Sequence, residues 1–168
     1  MAIFPIRTYG DPVLRTPTTP VVAVDESVRK LVADLTETMY DAPGVGLAAN
    51  QIGVSRRVAV FDAHDGEGPR PLINPVIVEA GGELEFEEGC LSVPGHYWPI
   101  VRPEFVRVLS LDLDGNEIYY EGVDLLGRVL QHEIGHLDGG LLIDHLPKRT
   151  RKKALKELRE ELLTRPEP

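Results

Sequence analysis

The chain has 168 residues, a net charge of −9 and a single cysteine, Cys90. That length suits one domain with a real core, and the acidic balance argues against a nucleic-acid or anionic-membrane surface for the domain as a whole. One thiol excludes an intrachain disulfide and fits a reducing compartment. No apolar run approaches the roughly 20 residues of a membrane span, and Met1 to Ile6 has no signal-peptide pattern, so no membrane association is expected and cytoplasm is the default.

Pro5, Pro12, Pro17 and Pro20 predict an extended or turning start. Asp25 to Tyr40 reads as an amphipathic helix, capped by Asp25 or Ser27, with Val28, Leu31, Val32, Leu35 and Met39 on one stripe. Pro43, Gly44, Gly46 and Gly53 then mark irregular backbone. Arg57 to Asp62 predicts a strand, Ala63 to Pro71 a polar turn, and Leu72 to Ala80 and Glu83 to Glu87 two further strands. Phe105 to Leu113 and Glu117 to Glu121 flank a hairpin turn at Asp114-Gly115-Asn116. An apolar, helix-like stretch runs from Val123 to Leu137 and ends at Gly139-Gly140. A charged helix covers Thr150 to Thr164. No internal repeat or low-complexity linker interrupts the chain. The order predicts an α+β fold, with antiparallel strands around the Val123 helix, a long N-terminal helix and a charged C-terminal one. One domain is expected over 1–168, with 148–168 as its charged helix and tail.

The helix over Val123 to Leu137 carries His132-Glu133-Ile134-Gly135-His136. Residues four apart share a helix face, so His132 and His136 can hold one metal ion. Glu133 beside them can take a proton from a water on that metal. Five residues alone can match by chance, so a third ligand is needed. The extended motif HExxHxxGxxH fails at its last position, which is Leu142. An acidic ligand downstream would be Glu157, Glu160 or Glu161, which read better as a solvated helix face. His145 is a further candidate that nothing marks out. Cys90, within Glu88-Gly89-Cys90-Leu91-Ser92, is a better one, against the competing reading of a small buried hydrophobe.

A third motif is Gly44-Val45-Gly46-Leu47-Ala48-Ala49-Asn50-Gln51. Its small residues allow a close approach of backbone or substrate, and the Gln51 amide can donate to a developing oxyanion. A tight turn packed by small residues is the competing reading.

GVGLAANQ, EGCLS and QHEIGHL (Gln131 to Leu137) together resemble the three signature motifs of the peptide deformylases, in order and spacing. The resemblance runs from Gly10-Asp11-Pro12-Val13-Leu14-Arg15 to the terminal helix. It implies a hydrolase that removes the formyl group from the N-terminal formylmethionine of new polypeptides. Cys90, His132 and His136 would be the metal ligands and Glu133 the base. Gln51 and the Leu91 backbone N–H would hold the oxyanion, and the peptide would bind as an added strand beside Gly44, Val45 and Gly46. Val45, Leu91, Leu125 and Val129 are the expected apolar lining of the methionine pocket, with core packing as the competing reading. The ligand set suits Zn²⁺, Fe²⁺, Co²⁺ or Ni²⁺, and the resemblance implies Fe²⁺ in the cell. One departure is Gly135, where the family's motif usually has an acid. The missing acid questions support around the ligands, and a glycine inside a helix suggests close packing.

Two other functions compete: a zinc endopeptidase with Cys90 or His145 as third ligand, and a structural metal site in a binding domain. Lys148, Arg149, Arg151, Lys152 and Lys153 open the last helix with charges that oppose its dipole. Family resemblance implies ribosome contact there, against a simple solvated helix end. No DNA or membrane partner is expected, and a monomer is the expectation.

Overall fold

The computed structural model describes residues 2–166. Its helices are α1 (Glu26–Asp41), α2 (Asp124–Leu137) and α3 (Lys148–Thr164). Its strands are β1 (Gly46–Ala48), β2 (Val58–Phe61), β3 (Arg70–Gly81), β4 (Leu84–Cys90), β5 (Val93–Arg102), β6 (Phe105–Leu111) and β7 (Glu117–Gly122). Strands β1-β2-β3-β6-β7 form one sheet in that order, and β4 and β5 form a separate two-stranded sheet. All these ladders are antiparallel. The α+β expectation holds.

The short strand β2 is apolar throughout because both of its faces are covered. Val58 and Val60 pack with Val28, Leu31, Val32, Leu35 and Met39 of α1. Ala59 and Phe61 point the other way and pack with Val129, Leu130, Ile134 and Leu137 of α2. The same alternation splits Leu47 from Ala48 on β1 and Ile73 from Leu72 on β3. The sheet is thus a partition between two helices, and the α2 side carries the motif histidines. Asp25 caps α1 by accepting from the Val28 N–H at 3.1 Å.

A third apolar cluster joins Val93 and Ile100 of β5 to Leu14, Leu141, Leu142, Ile143, Leu146 and, on α3, Ala154 and Leu158. Strand β5 is absent from the expectations above. Pro94, Gly95 and Pro99 hide it, since prolines and glycine read as breakers. The structure absorbs Pro94-Gly95-His96 as an irregularity: Gly89 pairs with Tyr97, whereas the next residue, Cys90, pairs with Val93. The irregular stretch after Pro43 holds β1 and a 3-10 turn, Ala49–Ile52, closed by Gly53 at φ 86. Helix α3 begins at Lys148 rather than Thr150.

Candidate metal centre

Helix α2 presents His132 and His136 on one face, one turn apart, with ring centroids 4.8 Å apart. Their Nε2 atoms are 3.1 Å from each other. Cys90 ends β4, and its Sγ lies 3.2 Å from His136 Nε2. The three ligand atoms all fall within 4.8 Å of one another. Ligands at 2.0–2.3 Å around a tetrahedral ion stand roughly 3.3–3.6 Å apart, so this donor set fits one divalent cation with little movement. Glu133 is buried, and its Oε2 has no hydrogen-bond partner. Its carboxylate lies against Gly46 of β1, where a Cβ would collide with it.

One carboxylate organises the ligands from behind. Glu88 Oε1 lies 2.9 Å from His132 Nδ1, so His132 turns its Nε2 to the centre. Arg102 grips Glu88 with Nε at 2.7 Å and Nη2 at 3.0 Å. Arg128 Nη1 donates to Glu88 Oε2 at 2.8 Å and to the Ile100 carbonyl at 3.1 Å; its Nη2 donates to the Leu84 carbonyl at 2.6 Å. Glu88, Arg102 and Arg128 are all buried. Burial opposes ionisation of Glu88, yet the His132 and Arg102 hydrogen bonds prevail and hold its carboxyl well below the usual range. None of the three was expected as a site residue, although Arg128 precedes His132 by one helical turn and so shares its face.

Burial alone would raise the Cys90 thiol; the His136 and His132 imidazoles overcome it and hold the thiol well below its ordinary range. Burial opposes charge on His132 too, but hydrogen bonds with Cys90 and Glu88 push it up to about 10. Burial pushes the Glu133 carboxyl up, against the lowering pull of the two imidazoles.

Gln51 reaches the centre from the 3-10 turn, with Nε2 3.7 Å from Cys90 Sγ and 3.0 Å from Ser92 Oγ. Its Oε1 accepts from the Ala48 N–H at 2.9 Å. Leu91 and Ser92 form the tight turn between Cys90 and Val93. Asn50 ties the same 3-10 turn to α2, its Nδ2 donating to the His136 carbonyl at 2.6 Å.

A cavity of about 1170 Å³ opens onto these groups. Gly44, Val45, Gly46, Gln51, Leu91, Leu125 and Val129 all line it, together with Cys90, His132 and Glu133. Phe86 and Arg128 line it as well, with the guanidinium 5.6 Å from the Phe86 ring centroid. Val45 and Val129 also pack in the α2 core, so the wall and the core are one structure there.

The alternative ligands lie elsewhere. His145 Nε2 is 3.3 Å from Arg102 Nη1, Leu142 is buried in the third apolar cluster, and Glu161 pairs with His96 at 2.7 Å. Close packing does not explain Gly135: a Cβ added there meets nothing within 4 Å. It faces a small cleft lined by Arg102, His136, Gly140 and His145, with room for about one water, ≈10 Å³.

A sequence model of the polypeptide deformylase family matches residues 3–152. A peptide deformylase of Acidothermus cellulolyticus is 48% identical over 160 residues, spanning 95% of this chain and 88% of the relative. One from Rhizobium meliloti is 44% identical over 169 residues, spanning 98% and 97%. The crystal structure of the Thermus thermophilus peptide deformylase superposes with a TM-score of 0.90 at 43% identity, over 96% of both chains.

Proposed function

The chain belongs to the peptide deformylase family, metal-dependent hydrolases that remove the N-formyl group from new peptides, and on that premise we propose how its own residues do so. Cys90, His132 and His136 hold one divalent cation. The observation that carries this reading is the convergence of their three donor atoms beside a buried, partly unpartnered Glu133 at the cavity floor. Three protein ligands rather than four leave a position for water, as a catalytic site needs. A cation held there would supply Lewis acidity, lowering the pKa of a bound water and polarising the formyl carbonyl.

Glu133 takes the proton as water adds to the formyl carbon. It delivers that proton to the amine nitrogen as the C–N bond breaks, leaving formate and a free α-amine. Burial raises its proton affinity, which suits a group that must hold the proton and then return it. Gln51 Nε2 and the Leu91 N–H donate to the developing oxyanion. The formylated peptide lies along Gly44, Val45 and Gly46, and Val45, Leu91, Leu125 and Val129 face its first side chain.

Fe²⁺ is the proposed metal in the cell, with Zn²⁺, Ni²⁺ or Co²⁺ as substitutes for a thiolate–imidazole set. The substrate is the formylmethionyl end of a nascent chain. Residues 1–168 act as one catalytic domain, monomeric and cytoplasmic. Lys148, Arg149, Arg151, Lys152 and Lys153, all exposed at the start of α3, are the proposed ribosome contact. Among the described residues no helix is long and apolar enough to cross a membrane.

The test is formate release from formyl-Met-Ala by protein prepared anaerobically, with metal content measured alongside. Turnover is expected to be lost on chelation. In Glu133→Ala it should vanish while metal content stays near wild type. Turnover that persists in this variant removes Glu133 from the mechanism.

A further inference from the structure

We propose that Ser92 is a positioning residue that aims the Gln51 amide at the oxyanion; this rests on the role given to Gln51 above. Both residues are buried, Gln51 at 2% and Ser92 at 0% exposure. A backbone N–H can only donate, so the atom facing the Ala48 N–H at 2.9 Å is the Gln51 carbonyl oxygen. The amide nitrogen is therefore the atom turned to Ser92 Oγ at 3.0 Å and to Cys90 Sγ at 3.7 Å. Ser92 Oγ occupies one of its two hydrogens. The other is left on the Cys90 side, where a carbonyl oxygen bound at the centre is reached.

Ser92 does not line the cavity, so it acts through Gln51 rather than on substrate. It is itself anchored at both backbone ends. Its N–H donates to Cys90 Sγ at 3.4 Å, and its carbonyl accepts from the Tyr9 N–H at 2.8 Å. Without the hydroxyl, the planar Gln51 amide is held only by the Ala48 N–H on Oε1 and the long Nε2 contact with Cys90 Sγ, and its orientation is less tightly fixed. The ground-state cavity is unchanged, so the loss belongs in kcat rather than in KM.

The experiment is a double-mutant cycle on kcat and KM for formyl-Met-Ala, using wild type, Ser92→Ala, Gln51→Met and the double variant. Metal content and melting temperature are recorded for each. Ser92→Ala should lower kcat about five- to tenfold, with KM within about twofold. Added to Gln51→Met, it should cost nothing further. An equal loss in both backgrounds overturns the proposal for Ser92, whereas a Gln51→Met enzyme with wild-type kcat overturns the oxyanion role of Gln51 instead. In metal-free protein the Gln51 side-chain amide hydrogens, identified by their disappearance in Gln51→Met, should exchange faster in Ser92→Ala. Unchanged exchange also overturns the proposal.

Discussion

The Glu133 carboxylate rests against the bare Cα of Gly46, on the strand that borders the cavity. A helix residue and an edge-strand residue thereby fix each other's place. Gly46→Ala should push Glu133 aside and lower kcat by on the order of 100-fold, the scale of a 1 Å misplacement. Metal content should remain near one per chain. Gly44→Ala collides with the end of the Leu91 side chain, at 2.8 Å, and otherwise makes ordinary contact with the Gly46 carbonyl at 3.5 Å, so its cost should be several-fold smaller. Equal losses in formate-release assays would show that Glu133 is not what Gly46 accommodates.

The buried charges around Glu88 make a second, ordered prediction. Two guanidiniums share this one carboxylate. Glu88→Gln strands both and should destabilise the fold by about 3–5 kcal/mol. It should also speed metal loss to a chelator by roughly 10–100-fold, because His132 loses its orienting partner. Arg128→Met leaves the Arg102–Glu88 pair intact and should cost less on both counts. Thermal melts and chelator kinetics on the three proteins check the order.

Metal removal should expose an unusual thiol. The His136 and His132 imidazoles hold the Cys90 thiol well below its normal range, and Cys90 and Glu88 raise His132 to about 10, so the metal-free centre favours a thiolate beside an imidazolium. Iodoacetamide should alkylate the metal-free protein at a rate nearly flat from about pH 6 to 8, instead of rising tenfold per unit as for an ordinary thiol. Metal loading should suppress the reaction. Mass spectrometry of the single cysteine reads both results.

Asp34 ties the N-terminal segment to α1. Burial opposes its charge, but the Lys30 ammonium at 2.7 Å and the Ala2 N–H at 2.8 Å hold its carboxyl below the usual value. A lowered folded-state pKa stabilises the fold above the unfolded value near 3.9, and that contribution is lost as pH falls through the folded value. Asp34→Asn should therefore melt below wild type at pH 7. The gap should narrow as pH drops from about 5 to 3. A gap independent of pH would mean that shape, not charge, matters at this position.

Helix α1 was legible because its stripe repeats at helical spacing and Asp25 caps it. The grouping of Cys90, His132, His136 and Gln51 was legible through motif chemistry and family resemblance rather than through any contact visible in the chain. Strand β5 was not, because Pro94, Gly95 and Pro99 disguise a strand that bulges around its first turn. Arg102 and Arg128 belong to no motif in the sequence; the fold shows that both are buried on Glu88. Gly135 looked like a packing glycine and instead borders a cleft, since a missing side chain looks the same in sequence whether space is filled or open.

The hairpin that ends in Cys90 forms no ladder with the five-stranded sheet. Its β5 side is covered by Ala154 and Leu158 of α3, near the C-terminal end of the chain. Synthesis runs from the N-terminus, so those two residues follow every ligand in the order of translation. Before α3 is made, Val93 and Ile100 of this hairpin have only Leu14 and the Leu141 to Leu146 stretch to pack on, and a two-stranded ribbon is marginal in water without such cover. The hairpin that carries the thiol thus gains its full apolar cover only after every ligand has been made.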